Sequence, residues 1–217
     1  MCANALGITD LGHGGKIAAG FIAVISGYAA SYFTALCAAP KKRYSIIKST
    51  VIFIFVFYII VLVDFTLIDD NLGRNIFNIY NWNTTAFSDY INRNTNIVPF
   101  ATVRLFINAV KTSALPLYAV LENLLGNLAA FMPLPFFLPC LFKRFNNWYS
   151  VLITVLLSVI TVELLQLLFL TGSSDIDDVI LNTAGAMLLY GVLRIKGVSR
   201  FISKITFGVW ETENGKD

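Results

Sequence analysis

This sequence predicts an all-α fold: a polytopic integral membrane helical bundle of about five transmembrane helices, N-terminus outside and C-terminus inside. Three observations lead there. Hydrophobic residues make up 57% of the 217 and charged residues 13%, where soluble domains run at roughly 45–50% and about 25%. The apolar residues gather into stretches of the length a hydrocarbon core requires, about 20 residues per helix. The short connections carry charge clusters of one sign, basic after the first and third apolar stretches and acidic after the fourth, which is the kind of pattern that orients membrane proteins. Mean hydropathy is +0.71, against a soluble globule. The net charge of +3 is small and sits in short clusters beside apolar runs, pointing away from nucleic acid as a partner.

The predicted spans are residues 17–39, 46–68, 117–141, 149–171 and 176–195. Only Lys16 immediately precedes the first, which runs into a basic turn instead of a cleavage site, so it reads as a retained span. The turn after it carries Lys41, Lys42, Arg43 and Lys48; the connection after the third span carries Lys143 and Arg144; the tail carries Arg194, Lys196, Arg200 and Lys204. All three are cytoplasmic by the positive-inside rule. Residues 172–178 hold Asp175, Asp177 and Asp178 with no Lys or Arg, and fall outside. The chain thus divides into two N-terminal spans (1–68), an extracytoplasmic connection (69–116), a three-helix core (117–195) and a cytoplasmic tail (196–217).

The long connection is rich in Asn and aromatics, among them Tyr80, Trp82 and Tyr90. Over residues 98–111, Pro99 near the start and Phe100, Val103, Phe106, Ile107 and Val110 at helical spacing predict an amphipathic helix on the outer membrane surface. Residues 200–210 repeat the pattern on the inner surface, with Phe201, Ile202, Ile205 and Phe207 against Arg200 and Lys204. Pro133, Pro135 and Pro139 remove ladder donors and break the second half of the third span. Cys2, Cys37 and Cys140 have no paired spacing and His13 is the single histidine, so no disulfide frame, zinc site or histidine pair follows.

In so apolar a chain the informative groups are the polar ones inside the spans. A carboxylate at a helix centre costs about 2.5–3.5 kcal/mol on insertion scales, so it faces the bundle interior or water. Glu163 and Gln166 share a face of span four, Asn123 and Asn127 a face of span three, and Asp175, Asp178 and Asn182 a face at the start of span five. At about 1.5 Å per residue, Glu163, Asn123, Asn127 and Asn182 lie at one level, roughly 10–15 Å below the outer end. The expectation is one polar pocket open to the outside, with Gly126 and Gly185 among the small residues that allow close helix approach. Asn and Gln at such positions also serve helix packing alone, and Asp175 or Asp177 also reads as a solvated helix cap. Asp64 reads as reaching the headgroups.

The motifs carrying these residues resemble, in order, those of VanZ-like membrane proteins: Arg93-x-x-Asn96-x-x-Pro99-Phe100, then Asn127 through Pro133, then Glu163-x-x-Gln166, then Gly172 through Gly185 with Asp175, Asp178 and Asn182. The sequence departs at Pro135, where that family commonly has Gly, and at Ser173, where many members have Arg. The second change removes a cation that would face Asp175 or Asp178. The resemblance implies a small polytopic membrane protein. In the founding member it implies resistance to teicoplanin, a lipoglycopeptide acting outside the cell membrane.

Two main functional readings stay open. In one, a multi-pass cell-membrane protein lowers the access of a teicoplanin-type lipoglycopeptide at the outer leaflet, with Arg93 and Arg104 meeting a phosphate or carboxylate. In the other, an outer-leaflet enzyme acts on a lipid or lipid-linked cell-wall precursor. Glu163 is then the catalytic acid or base, and Asn123, Asn127, Gln166, Asp175, Asp178, Asn182, Arg93 and Asn96 bind substrate. No obvious nucleophile supports the enzyme. No cofactor or resident metal is assigned, although a divalent cation at Asp175, Asp178 and Glu163 is an open alternative. Ion movement fares worse, since the inner halves of spans three to five offer no ionisable continuation. The expected partners are membrane lipids and the lipoglycopeptide or cell-wall precursor.

Overall fold

The computed structural model describes residues 13–68 and 76–210. Cys2, residues 69–75 of the long connection and residues 211–217 of the tail lie outside them. The elements are α1 (His13–Cys37), α2 (Pro40–Val63), α3 (Thr84–Asn94), β1 (Thr95–Asn96), α4 (Ala101–Lys111), α5 (Leu117–Ala130), α6 (Leu134–Leu141), α7 (Trp148–Leu168), β2 (Ser174–Asp175), α8 (Ile176–Arg194) and α9 (Lys196–Ile205). Four stretches are long and apolar enough to cross a membrane: Pro40–Ile68, Leu117–Leu141, Trp148–Leu168 and Ile176–Arg194; a shorter apolar stretch, Ile22–Cys37, lies in α1. The protein is an all-α membrane helical bundle. Side chains such as Phe53, Ile60, Leu157, Leu164 and Leu188 point outward from it, as lipid-facing positions require.

Local chemistry explains the breaks. Pro40 begins α2, where its missing N–H costs nothing. Arg43 then folds back on the end of α1, its Nε donating to the carbonyl of Ala35 at 2.9 Å and its Nη2 to those of Leu36 and Ala38 at 3.0 and 3.1 Å. The carbonyls of Leu36 and Ala38 stand at and just past the helix end, where helical donors run out, and that of Ala35 also accepts the Ala38 N–H at 3.1 Å. At the far end α2 loosens into a π-turn over Asp64–Ile68. The third span is interrupted at Phe131–Pro133, between α5 and α6, where the prolines stand, and Tyr58 Oη donates to the carbonyl of Ala130 at 2.8 Å. Ser158 and Thr161 bond the carbonyls four residues back, as isolated hydroxyls in spans do.

α8 lies at the centre, packed on α5, α6 and α7. Its approach to α5 is so close that a Cβ on Gly185 would stand 1.8 Å from the Leu128 carbonyl oxygen. Gly126 has open space around it, so only one of the two expected glycines serves that contact. Two apolar clusters fill the bundle. One joins Phe131, Leu134, Val155, Val159 and Ala186 midway; the other joins Ile47, Val51, Phe137, Leu193 and Trp210 at the basic end.

Two surface segments differ from expectation. The long connection holds a helix the sequence reading lacked, α3, capped by Asn83 Oδ1, which accepts the Ala86 N–H at 2.8 Å. The amphipathic helix α4 starts at Ala101 rather than 98, because Phe100 takes a left-handed conformation (φ 61°) after Pro99. The tail helix α9 also does more than lie on a surface. The turn after it buries Trp210 completely, stacks it on Phe136 (centroids 6.0 Å apart) and bonds its Nε1 to Ser199 Oγ at 3.0 Å.

Candidate functional site

At the end of the bundle opposite the basic turns, the chain segments before α4 and α8 meet as a two-residue parallel ladder. Thr95 pairs with Ser174 and Asn96 with Asp175. The ladder puts two polar side chains from distant parts of the chain side by side. Asn96 Nδ2 donates to Asp175 Oδ1 at 3.1 Å and to Thr102 Oγ1 at 3.1 Å, and the Thr102 hydroxyl in turn donates to Asp175 Oδ2. Asn96 Oδ1 accepts the Val98 N–H at 3.0 Å, closing the side-chain turn typical of asparagine. Asp175 also caps α8, its Oδ1 accepting the Asp177 N–H at 2.9 Å.

Asp177 does something different. Its two oxygens accept the backbone N–H groups of Phe100, of Thr102 (3.0 Å) and of Val103 (3.1 Å). These are first-turn donors of α4, a helix whose own N-cap position is Phe100 and supplies no side-chain cap. A carboxylate from another helix therefore does the capping, and its charge faces the positive ends of two helix dipoles, that of α4 and that of α8. Asp177 is 2% exposed and Asp175 6%. Neither is the solvated loop residue that the sequence alone allowed.

Glu163, 7% exposed, projects from α7 into this layer, where its Oε2 accepts the Asp175 N–H at 3.2 Å. Asn127 Nδ2 donates to Asp178 Oδ1, and Asn182 Nδ2 to the Asp178 carbonyl at 2.8 Å. Gln166 turns to α2 instead, its Nε2 donating at 2.9 Å to the carbonyl of Thr66 in the π-turn. Tyr90 of α3 donates its hydroxyl to the Gly172 carbonyl, tying the long connection to the α7–α8 turn. Buried acceptors remain without a donor: Gln166 Oε1, Asn182 Oδ1 and the Thr183 hydroxyl oxygen. No set of three His, Cys, Asp or Glu side chains among the described residues is arranged to hold a metal ion.

Of the residues singled out from sequence, hydrogen bonds join Asn96 and Glu163 to Asp175 and Asn127 to Asp178 in a polar layer at this end, while Asn182 bonds within α8 and Gln166 bonds to α2. Arg93 and Asn123 stand exposed beside that layer. A family model described as VanZ/LLP1 matches residues 55–197, about two thirds of the chain. The chain belongs to the VanZ/LLP1 family. The matched stretch runs from within α2 to the start of α9, so it contains the entire polar layer and leaves α1 outside. No curated protein and no solved structure matches the chain.

In this VanZ/LLP1 protein the carboxylates at the start of α8 are met by neutral donors. Ser173 is exposed, and the Asp175 carboxylate is held by an amide, a hydroxyl and a backbone N–H. The residues missed from sequence are Asp177, Thr102, Thr66 and Tyr90. One signal for Asp177 was available: a helix starting Val-Pro-Phe-Ala, with no Ser, Thr, Asp or Asn at its cap, needs an acceptor from elsewhere.

Proposed function

We propose that this VanZ-like protein resides in the cell membrane as a multi-pass protein with its acidic end outward, and that it lowers susceptibility to teicoplanin-type lipoglycopeptides there. The observation that carries the reading is the fastening of α4. Held at its amino end by Asp177, α4 has no buried residue and leaves Phe100, Leu105 and Ile107 exposed, with Arg104 and Lys111 on the same short helix. Such a helix lies in a membrane interface. There it competes for, or covers, the surface on which a lipid-anchored glycopeptide works, and Arg93 and Arg104 are free to meet its carboxylate or a lipid phosphate. The test is the teicoplanin susceptibility of a deletion strain and of a host expressing the chain, with vancomycin as control. Protection against teicoplanin is expected, and unchanged susceptibility in both strains would sink the reading.

A second reading, an outer-leaflet enzyme acting on a lipid or lipid-linked cell-wall precursor, has one observation in its favour. The unmet acceptors on Gln166 (3% exposed) and Asn182 (4% exposed) lie on the two helices that also carry Glu163 and Asp178. A substrate bearing hydroxyl or amide donors would satisfy them, with Glu163 as acid or base. Purified protein would then turn over lipid, and Glu163→Gln would abolish turnover while Asp64→Asn would not. Equal turnover by Glu163→Gln would remove Glu163 from that role.

A further inference from the structure

The opposite end of the bundle carries a second feature, and it does not depend on the lipoglycopeptide reading. Lys196, Arg200 and Lys204 recur every fourth residue along α9 and share one exposed face. That face cannot turn inward. The other side of α9 is pinned by buried Ser199 and Thr206, and Trp210 is locked against it through its bond to Ser199. The two other basic turns converge on the same place. Arg43, from the turn with Lys41 and Lys42, lies 5.0 Å over the Phe207 ring. Arg194 lies 5.3 Å over Trp210 and donates to the Asn146 carbonyl, beside Arg144, at 2.7 Å. Arg43 and Arg194 are thus used inside the protein, whereas Lys41, Lys42 and Arg144 join the α9 stripe in facing outward. Among the described residues, neither α9 nor these turns contain an Asp or Glu.

We infer that this end is a docking surface for anionic phospholipid headgroups, centred on the α9 stripe. Charge alone would suit any polyanion, but exposed Tyr44, Trp148, Tyr149 and Phe201 stand at the same end. Aromatic rings at the ends of spans seat at headgroup depth, and a basic cluster beside them attracts acidic lipid. The experiment reconstitutes the full chain in bilayers of phosphatidylcholine and measures its preference for spin-labelled phosphatidylglycerol over spin-labelled phosphatidylcholine. The wild type favours phosphatidylglycerol, and added salt weakens that preference. Neutralisation by K196Q/R200Q/K204Q brings it close to the value for no preference at low salt. The charge-conserving variant K196R/R200K/K204R keeps it. An undiminished preference in the neutralised variant, indifference to salt, or displacement of the labelled lipid by soluble glycerol phosphate would overturn the proposal, the last by pointing to a small-anion site instead.

Discussion

Gly185 and Thr102 show how much of this fold rests on single atoms. A methyl group at 185 would overlap the Leu128 carbonyl oxygen, which is backbone and cannot step aside. Gly185→Ala is expected to cost about 1–3 kcal/mol, the usual penalty for overpacking a tight contact. Chemical unfolding in detergent should show that loss, while Gly126→Ala, which meets open space, should leave the midpoint unchanged. Thr102 connects Asn96 to Asp175 through one hydroxyl. Thr102→Val removes a donor to a buried carboxylate and is expected to cost about 1.5–3 kcal/mol, the range for hydrogen bonds to charged groups. Thr102→Ser should restore most of that, and failure of Ser to rescue would mean that the methyl group, not the hydroxyl, matters at this position.

Among the elements, α4 is the one whose placement depends on another helix. Asp177→Ala takes away the acceptor of three N–H groups and is expected to cost about 0.5–2 kcal/mol, as loss of an N-cap does. Hydrogen exchange should show the loss confined to the amides of Phe100, Thr102 and Val103 and the rest of α4, with α7 and α8 protected as before. Loss of protection throughout the bundle would instead make Asp177 a determinant of the whole fold. The spans were legible in the sequence because a helix crossing lipid must satisfy its own backbone and show apolar side chains for its full length. The break at Pro133 was legible for a similar reason, since a missing N–H is a property of one residue. The start of α4 was misjudged by a few residues. Its boundary depends on Phe100 in a left-handed turn and on a cap 77 positions away, and neither leaves a mark in the local pattern.

For the molecule as a whole, the division into an acidic end and a basic end gives the orientation a direct test. With Cys2 and Cys37 replaced by serine, a cysteine at Ser173 should react with a membrane-impermeant thiol reagent on intact cells. A cysteine at Lys204 should react only after permeabilisation. The reverse pattern would invert the arrangement and move α4 away from any extracellular ligand. The two ends also divide the work. At one, carboxylates and amides fasten a surface helix; at the other, arginines and Trp210 close the bundle and leave a basic stripe exposed.

Composition and hydropathy were enough to specify a helical membrane bundle and to single out its polar residues, because each reports a local transfer cost that every residue meets separately, although the second span begins at Pro40, six residues before the expected 46. The role of each polar residue came from contacts between segments. Asn123 and Asn127 have the same chemistry and nearly the same depth, yet Asn127 meets Asp178 while Asn123 stands exposed. Asp175 and Asp177 lie two positions apart, yet one caps its own helix and the other caps α4. Which donor reaches which acceptor depends on how the helices rotate and approach one another, a property of the packed chain and not of any one stretch of it.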